Sequence, residues 1–293
     1  MKHHPQALYF TGMIVAMLLW GVAWTAGKVA ALHSNAEVAA FWRYAVSFAS
    51  IVPLIWIMRS PLRSDRRGVI YMIVAGLLTS VFNYFFFAGL LHGQAGYGGT
   101  LVTSTSPIIT YALSIALLGL GVSAKEILAL ALGSVGALVL LKVPTQGWAF
   151  LELENIYFAA AAVVWALVTI VSQKASRHVT PMLYTTVVFG VAMSTNLLFA
   201  MPHEPFAFSK YDMTFWWTIL FIGIFPGTLS TALFFASAGK VGAHRTGVFM
   251  FIVPIGAIVS SMIVYGETIE LSTIIGCALA FAAVVVFNAR RKG

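Results

Sequence analysis

The chain has 293 residues, of which 60% are hydrophobic and only 9% charged, with a mean hydropathy of +0.92. A soluble domain carries roughly a quarter charged residues because it must show water a polar face; this chain has no such face to offer, so its lateral solvent is lipid. The formal net charge of +8 sits in short basic clusters between apolar runs, which is a topology signal and excludes a nucleic-acid partner, and the single cysteine, Cys277, excludes an intrachain disulfide framework.

A spanning helix needs about 20 mostly apolar residues. Ten such runs are predicted, at 8–31, 36–58, 68–91, 97–119, 124–142, 155–175, 180–201, 213–238, 243–265 and 271–288. The first is too long for a cleaved leader, and Lys28 breaks the region a cleavage site would occupy, so residues 1–34 read as a retained helix. It carries Trp20 near its centre and Trp24 one turn on. Tryptophan normally sits at the membrane interface, where its N–H meets water. A central tryptophan therefore marks either a hydrated or ligand-filled cavity, or tight packing with the N–H bonded to a neighbour. Lys28 and Arg43, on the first and second helices, flank one short loop. As rim charges they either attract a carboxylate to the mouth of a pathway or snorkel to headgroups and pair with Glu37.

The third helix carries Asn83, Tyr84 and Phe87. Asn83 deep in an apolar run needs a partner, either another helix or a ligand. The fourth places Thr100, Thr103, Ser104, Pro107 and Tyr111 at i, i+3, i+4, i+7 and i+11, one helical face. These polar residues turn inward, toward a pore or toward their own backbone carbonyls. The sixth helix repeats the central tryptophan as Trp165. The eighth offers Thr228, Ser230, Phe234 and Ser237, with Gly223 and Gly227 spaced for close packing, as are Gly89 and Gly93. Pro107 and Pro254, each read as mid-helix, free carbonyls and are candidate hinges. Phe251 stands just before Pro254.

With the N-terminus in the cytoplasm, the inner loops carry Lys2, Arg59, Arg63, Arg66, Arg67, Lys125, Lys174, Arg177, Lys240, Arg245, Arg290, Arg291 and Lys292, against Lys142 and Lys210 outside. Both termini are therefore expected to be cytoplasmic. The chain also repeats itself. Shifted by 147 residues, Gly76 falls on Gly223, Pro107 on Pro254, Ser114 on Ser261 and Gly119 on Gly266, while Trp20 answers Trp165 and Lys28 answers Lys174 at nearby offsets. Five helices per half is odd, so the halves run in opposite senses. The expected fold is all-α integral membrane: ten transmembrane helices as two inverted five-helix repeats, 1–146 and 147–293, with a substrate site near the midplane.

Several chemistries find no residues. Gly27-Lys28 hints at a nucleotide-binding loop, but Gly21 lies one residue too far away and Val29 stands where Ser or Thr is needed. There is no Gly-x-Ser-x-Gly, no His-Glu-x-x-His and no metal-ligand cluster, so neither a cofactor nor a metal is expected. The nine carboxylates all fall in loops or at helix ends. A proton or sodium relay usually needs one inside the membrane, so the pattern points to facilitated diffusion or exchange, with His92, His244 or a carboxylate at the rim as the alternative coupling groups.

The run from Trp20 to Lys28 (Trp-Gly-Val-Ala-Trp-Thr-Ala-Gly-Lys) resembles the first-helix signature of the EamA-type family of the drug/metabolite transporter superfamily. Arg43 fits that family's second-helix arginine. Residues 107–119 resemble its fourth-helix pattern, and Val253-Pro254 through Tyr265-Gly266-Glu267 its ninth. The first half departs at Leu120, where a glutamate often follows the glycine. The resemblance covers essentially the whole chain. It implies alternating access through a central cavity and export of amino acids, other metabolites or drugs across a bacterial-type inner membrane. Among family members the chain resembles most the exporters of aromatic and other amino acids, in size and in its aromatic central residues. The expected partners are a small-molecule substrate and the bilayer, and one chain suffices to enclose a pathway. The candidate substrate-binding set is Trp20, Trp24, Asn83, Tyr84, Phe87, Thr103, Ser104, Trp165, Ser230, Phe234 and Phe251. Efflux of lipophilic cations would need a buried acid. A lipid-modifying enzyme would need His, Asp or Glu gathered at one membrane surface.

Overall fold

The structure is a computed structural model that describes residues 4–58, 61–118, 124–140, 153–234, 249–250 and 252–288. Its helices are α1 (His4–Leu32), α2 (Ala36–Met58), α3 (Arg66–His92), α4 (Ala95–Leu118), α5 (Ala124–Leu140), α6 (Leu153–Ala175), α7 (Pro181–Ala200), α8 (Met213–Ile222), α9 (Ile252–Tyr265) and α10 (Leu271–Asn288). Helix α8 runs on through a π-helical stretch, Gly223–Leu229, to residue 234. No strand occurs among the described residues. Among the described residues six helices are long and apolar enough to cross a bilayer, and shorter apolar segments lie at Ile127–Leu140, Ile252–Tyr265 and Leu271–Ala283. The exposed side chains include Trp56, Trp217, Ile263 and Leu198, as expected where the outer surface meets lipid rather than water.

Helix ends follow local chemistry. Asp65 caps α3 by accepting from the Gly68 N–H, Thr180 caps α7 just before Pro181, and Asp212 caps α8 by accepting from the Phe215 N–H. After α9 the chain turns through Gly266 at φ 64°, the left-handed conformation in which glycine carries no Cβ penalty. Its N–H returns to the Met262 carbonyl at 3.0 Å.

The two halves interleave. Helix α1 packs on α9, and the counterpart α6 packs on α4; α3 lies against α6, and α8 against α1. Helices α5 and α10 pack on each other, where a Cβ on Gly136 would stand 3.1 Å from the Gly276 carbonyl oxygen. At the α1–α9 crossing a Cβ on Gly21 would meet the Val253 carbonyl oxygen at 2.4 Å and Gly256 Cα at 2.7 Å. Backbones come this close only where side chains are absent, the usual way membrane helices gain dispersion contact. Gly223 and Gly227 serve the same end against Val46 and Ser47 of α2, and Gly89 faces Phe158.

A pair of ion contacts makes the inversion concrete. Asp65, at the start of α3, meets the His178 ring at 2.7 Å. Asp212, at the start of α8, meets the His33 ring at 2.7 Å. Each carboxylate caps the third helix of its own half, and each histidine comes from the turn after the first helix of the other half. The two contacts lie at opposite ends of α2. These features make the molecule a ten-helix membrane protein of two inverted five-helix repeats.

Candidate functional site

A cavity of about 120 Å3 lies inside the bundle. Its described walls come from four helices of each half: Trp20 and Trp24 of α1, Arg43, Tyr44 and Ser47 of α2, Phe82 and Phe86 of α3, Val102 and Thr103 of α4, Trp165 of α6, Phe189 of α7, Pro226, Gly227 and Thr231 of the α8 extension, and Met250 and Val253 at the start of α9. Helices α5 and α10 contribute none of the described lining. A dry cavity of roughly this size in a protein core takes up benzene, so the space suits a ring.

Both central tryptophans line it. Trp20 donates its indole N–H to the Pro226 carbonyl at 2.9 Å. In the π-helical stretch the Ser230 N–H reaches back to Phe225 rather than to Pro226, which leaves the Pro226 oxygen for the indole. Trp20 is thus both a bonded packing residue and a wall of the cavity, and its ring lies 5.3 Å from Phe234. Trp165 stands across the space with its ring 4.8 Å from Phe82, and its N–H meets no protein acceptor among the described residues. Trp24 is buried against Phe86 at 4.6 Å and Phe158 at 6.0 Å. Thr103 faces the cavity while donating to the Gly99 carbonyl at 2.6 Å. The α4 hydroxyls do largely satisfy their own helix, as Thr105, Ser106 and Thr110 do the same.

Arg43, expected at a rim, has its side chain in the cavity wall. Its Nη1 donates to Asn83 Oδ1 at 3.2 Å, and its guanidinium lies 4.8 Å from the Phe86 ring centre and 5.7 Å from that of Tyr44. Asn83 is wholly buried, and its Nδ2 has no partner. It supports the cavity from behind and is not part of the lining. Lys28 behaves differently. Its Nζ lies 3.1 Å from Glu267 Oε1 and 4.9 Å above the Tyr265 ring, so its partner is Glu267 and not Glu37. Glu267 also accepts the Ala95 and Gly96 N–H groups at 3.0 Å each. One carboxylate thereby ties α1, the start of α4 and the end of α9 together.

Other expected residues fall elsewhere. Tyr84 is 39% exposed and faces outward, one position past Asn83 and therefore about 100° around the helix. Phe87 is fully buried in the core beside Phe86. Ser104 and Pro254 line a second, nearly apolar groove of about 630 Å3 between α4, α9 and α10, with Ile255, Ile274 and Cys277. Ser230 is buried with an unpartnered hydroxyl, outside the cavity lining. Pro107 lies inside α4, whereas Pro254 sits in the first turn of α9 as described. Phe251, Ser237, Gly119 and Leu120 lie outside the described residues. Sequence reasoning passed over Phe82 and Phe86, though they stand four apart on one face of α3, and over Phe189 and Tyr44, which no pattern marks.

Residues 8–142 and 153–289 each match the EamA-like transporter family. An uncharacterized transporter of Bacillus subtilis, YvbV, is 24% identical over 293 residues, covering 100% of this chain and 95% of its own. A probable amino-acid metabolite efflux pump of Salmonella typhimurium is 23% identical over 292 residues, 95% of each chain. A solved crystal structure has the same fold, with a TM-score of 0.65 at 20% identity over 96% of both chains. With two family repeats spanning nearly its whole length, the chain belongs to the EamA-like transporter family.

Proposed function

We propose that this protein is a secondary exporter of small amphiphilic metabolites, amino acids and their derivatives foremost, working by alternating access around the central cavity. One observation carries the reading: four helices from each inverted half wall one aromatic space, so rocking one half against the other would expose it to either side in turn. The relative named as a probable amino-acid metabolite efflux pump supports the substrate class. We place the boundary between the halves at 146/147, both termini in the cytoplasm on the basic-residue bias of the loops, and the protein in the inner membrane as a monomer. It moves solute without transforming it.

The test is counterflow into proteoliposomes. Vesicles preloaded with one unlabelled amino acid or derivative at a time, without an ion gradient, accumulate the labelled compound only if the protein exchanges it. Trp20→Ala and Trp165→Ala should each lower that exchange at least about tenfold by removing ring contact area. Exchange and substrate preference unchanged in both variants would remove the cavity from the pathway.

A further inference from the structure

We propose that Arg43 is the anion anchor of the central cavity, and that the solute is an organic carboxylate with an aromatic or bulky apolar body, bound without any need for an α-ammonium group. The inference rests on the cavity being the transport site, and it narrows the class of solute.

The argument is a charge inventory. Among the described residues lining the cavity, Arg43 is the single charged one; no aspartate, glutamate or histidine joins it. Among the described residues no carboxylate approaches within 4 Å of it, whereas Lys28 on the neighbouring helix has Glu267 at 3.1 Å. A guanidinium carries five N–H donors, and among the described residues one of them finds an acceptor, Asn83 Oδ1. Its stacking on Phe86 and proximity to Tyr44 offset part of the desolvation cost. Aromatic faces do not supply the in-plane acceptors that the fork requires. An uncompensated cation inside a membrane protein is expensive and marks function. On the wall itself the Trp165 indole N–H is a further donor, with no acceptor among the described residues. The site is rich in donors and poor in negative charge.

The acceptors on the described wall are neutral carbonyl and hydroxyl oxygens, with no carboxylate among them to offset an ammonium charge. The Pro226 carbonyl takes the Trp20 N–H, the Gly99 carbonyl takes the Thr103 hydroxyl, and Ser47 spends its hydroxyl on the Arg43 and Gly223 carbonyls. Nor does the arginine follow from the repeat. Shifted by 147 residues, Arg43 falls on Gly190, where a Cβ would already stand 3.1 Å from the Phe48 ring. The described walls therefore carry charge on one side alone, and a ligand with one carboxylate and a ring matches them.

The test uses four compounds on one phenylpropyl skeleton: 3-phenylpropionate, phenylalanine, 3-phenylpropanol and 3-phenylpropylamine. Their binding to the purified full-length protein is measured by competition against labelled 3-phenylpropionate, and directly by tryptophan fluorescence. The expected order has the acid tightest, about ten- to a hundredfold tighter than the alcohol, phenylalanine no tighter than the acid, and the amine weakest. Arg43→Gln should close the gap between acid and alcohol, and Arg43→Lys should restore part of it. An acid that binds no better than the alcohol, an amine that rivals the acid, phenylalanine that outbinds it, or an acid preference intact in Arg43→Gln would each overturn the proposal. If Arg43→Gln fails to fold, the ranking on the natural protein decides alone. Counterflow of some other solute with no binding of these acids sinks this proposal and leaves the transport reading standing. Absence of any counterflow and any binding sinks both.

Discussion

Replacing Glu267 with glutamine removes the negative charge that joins three helices while keeping the size of the side chain. The carboxylate accepts from Lys28 Nζ at 3.1 Å and from the Ala95 and Gly96 N–H groups at 3.0 Å each. Glutamine retains one acceptor oxygen and turns the other into an NH2, so one backbone N–H at the start of α4 faces a donor and is orphaned. That costs about 1–3 kcal/mol. Lys28 loses its counter-charge. For a fully buried pair this would cost about 3–5 kcal/mol, but the Lys28 and Glu267 side chains retain 18% and 9% exposure, so solvent screening brings the cost down to about 1–2 kcal/mol. The net loss is about 3 kcal/mol. Unfolding of the purified protein in mixed micelles by graded dodecyl sulfate, followed by tryptophan fluorescence, measures it. A double-mutant cycle with Lys28→Met should show a coupling of about 1–2 kcal/mol. A loss under about 1 kcal/mol, or single-mutant effects that simply add, would refute the claim that this carboxylate is what holds α1 to α4 and α9.

The same unfolding assay tests other contacts. Gly21→Val drives a side chain into the Val253 carbonyl and the Gly256 backbone, which cannot rotate away; it should cost about 3 kcal/mol or more, and a loss under about 1 kcal/mol would show that α1 and α9 can part freely. Trp20→Phe keeps the ring beside Phe234 and leaves the Pro226 oxygen without its donor, so stability should fall by about 1–2 kcal/mol; no fall would show that the bond contributes nothing. The Asp65 carboxyl is held below the usual carboxylate range by the Gly68 N–H bond and then by His178, and Asp212 likewise by the Phe215 N–H and then by His33. A depressed folded-state pKa stabilises above the ordinary carboxylate value and loses that contribution as pH falls through the folded value. The melting temperature should therefore hold from neutral pH down to about pH 4 and drop below it. Asp65→Asn together with Asp212→Asn should flatten that acid limb, and an unchanged limb would show that the drop comes from other groups.

The ten apolar runs, their inversion and the two central tryptophans were legible because lipid imposes one-dimensional rules. Each segment must be about 20 apolar residues long, an odd helix count per repeat reverses its sense, and an indole far from the interface needs a partner for its N–H. Other assignments failed for an equally physical reason. Helix α3 is apolar on every side, as membrane helices are, so no periodicity separates a side chain facing a cavity from one facing lipid. Tyr84 was thus grouped with Asn83 although it turns outward, and Phe82 and Phe86 were passed over.

Sequence alone determined how many helices there are, how they are paired by the repeat, and at what depth Trp20, Trp165 and Asn83 lie along them. Tertiary structure alone decided how each helix is rotated about its axis and which distant residue stands opposite. Glu267 reaches Lys28 from 239 positions away, and Arg43 meets Asn83 and Phe86 but no carboxylate among the described residues. Rotation and partnership are set by packing between helices, through glycine contacts such as Gly21 on Gly256, and the composition of a single helix does not record the surface it will meet.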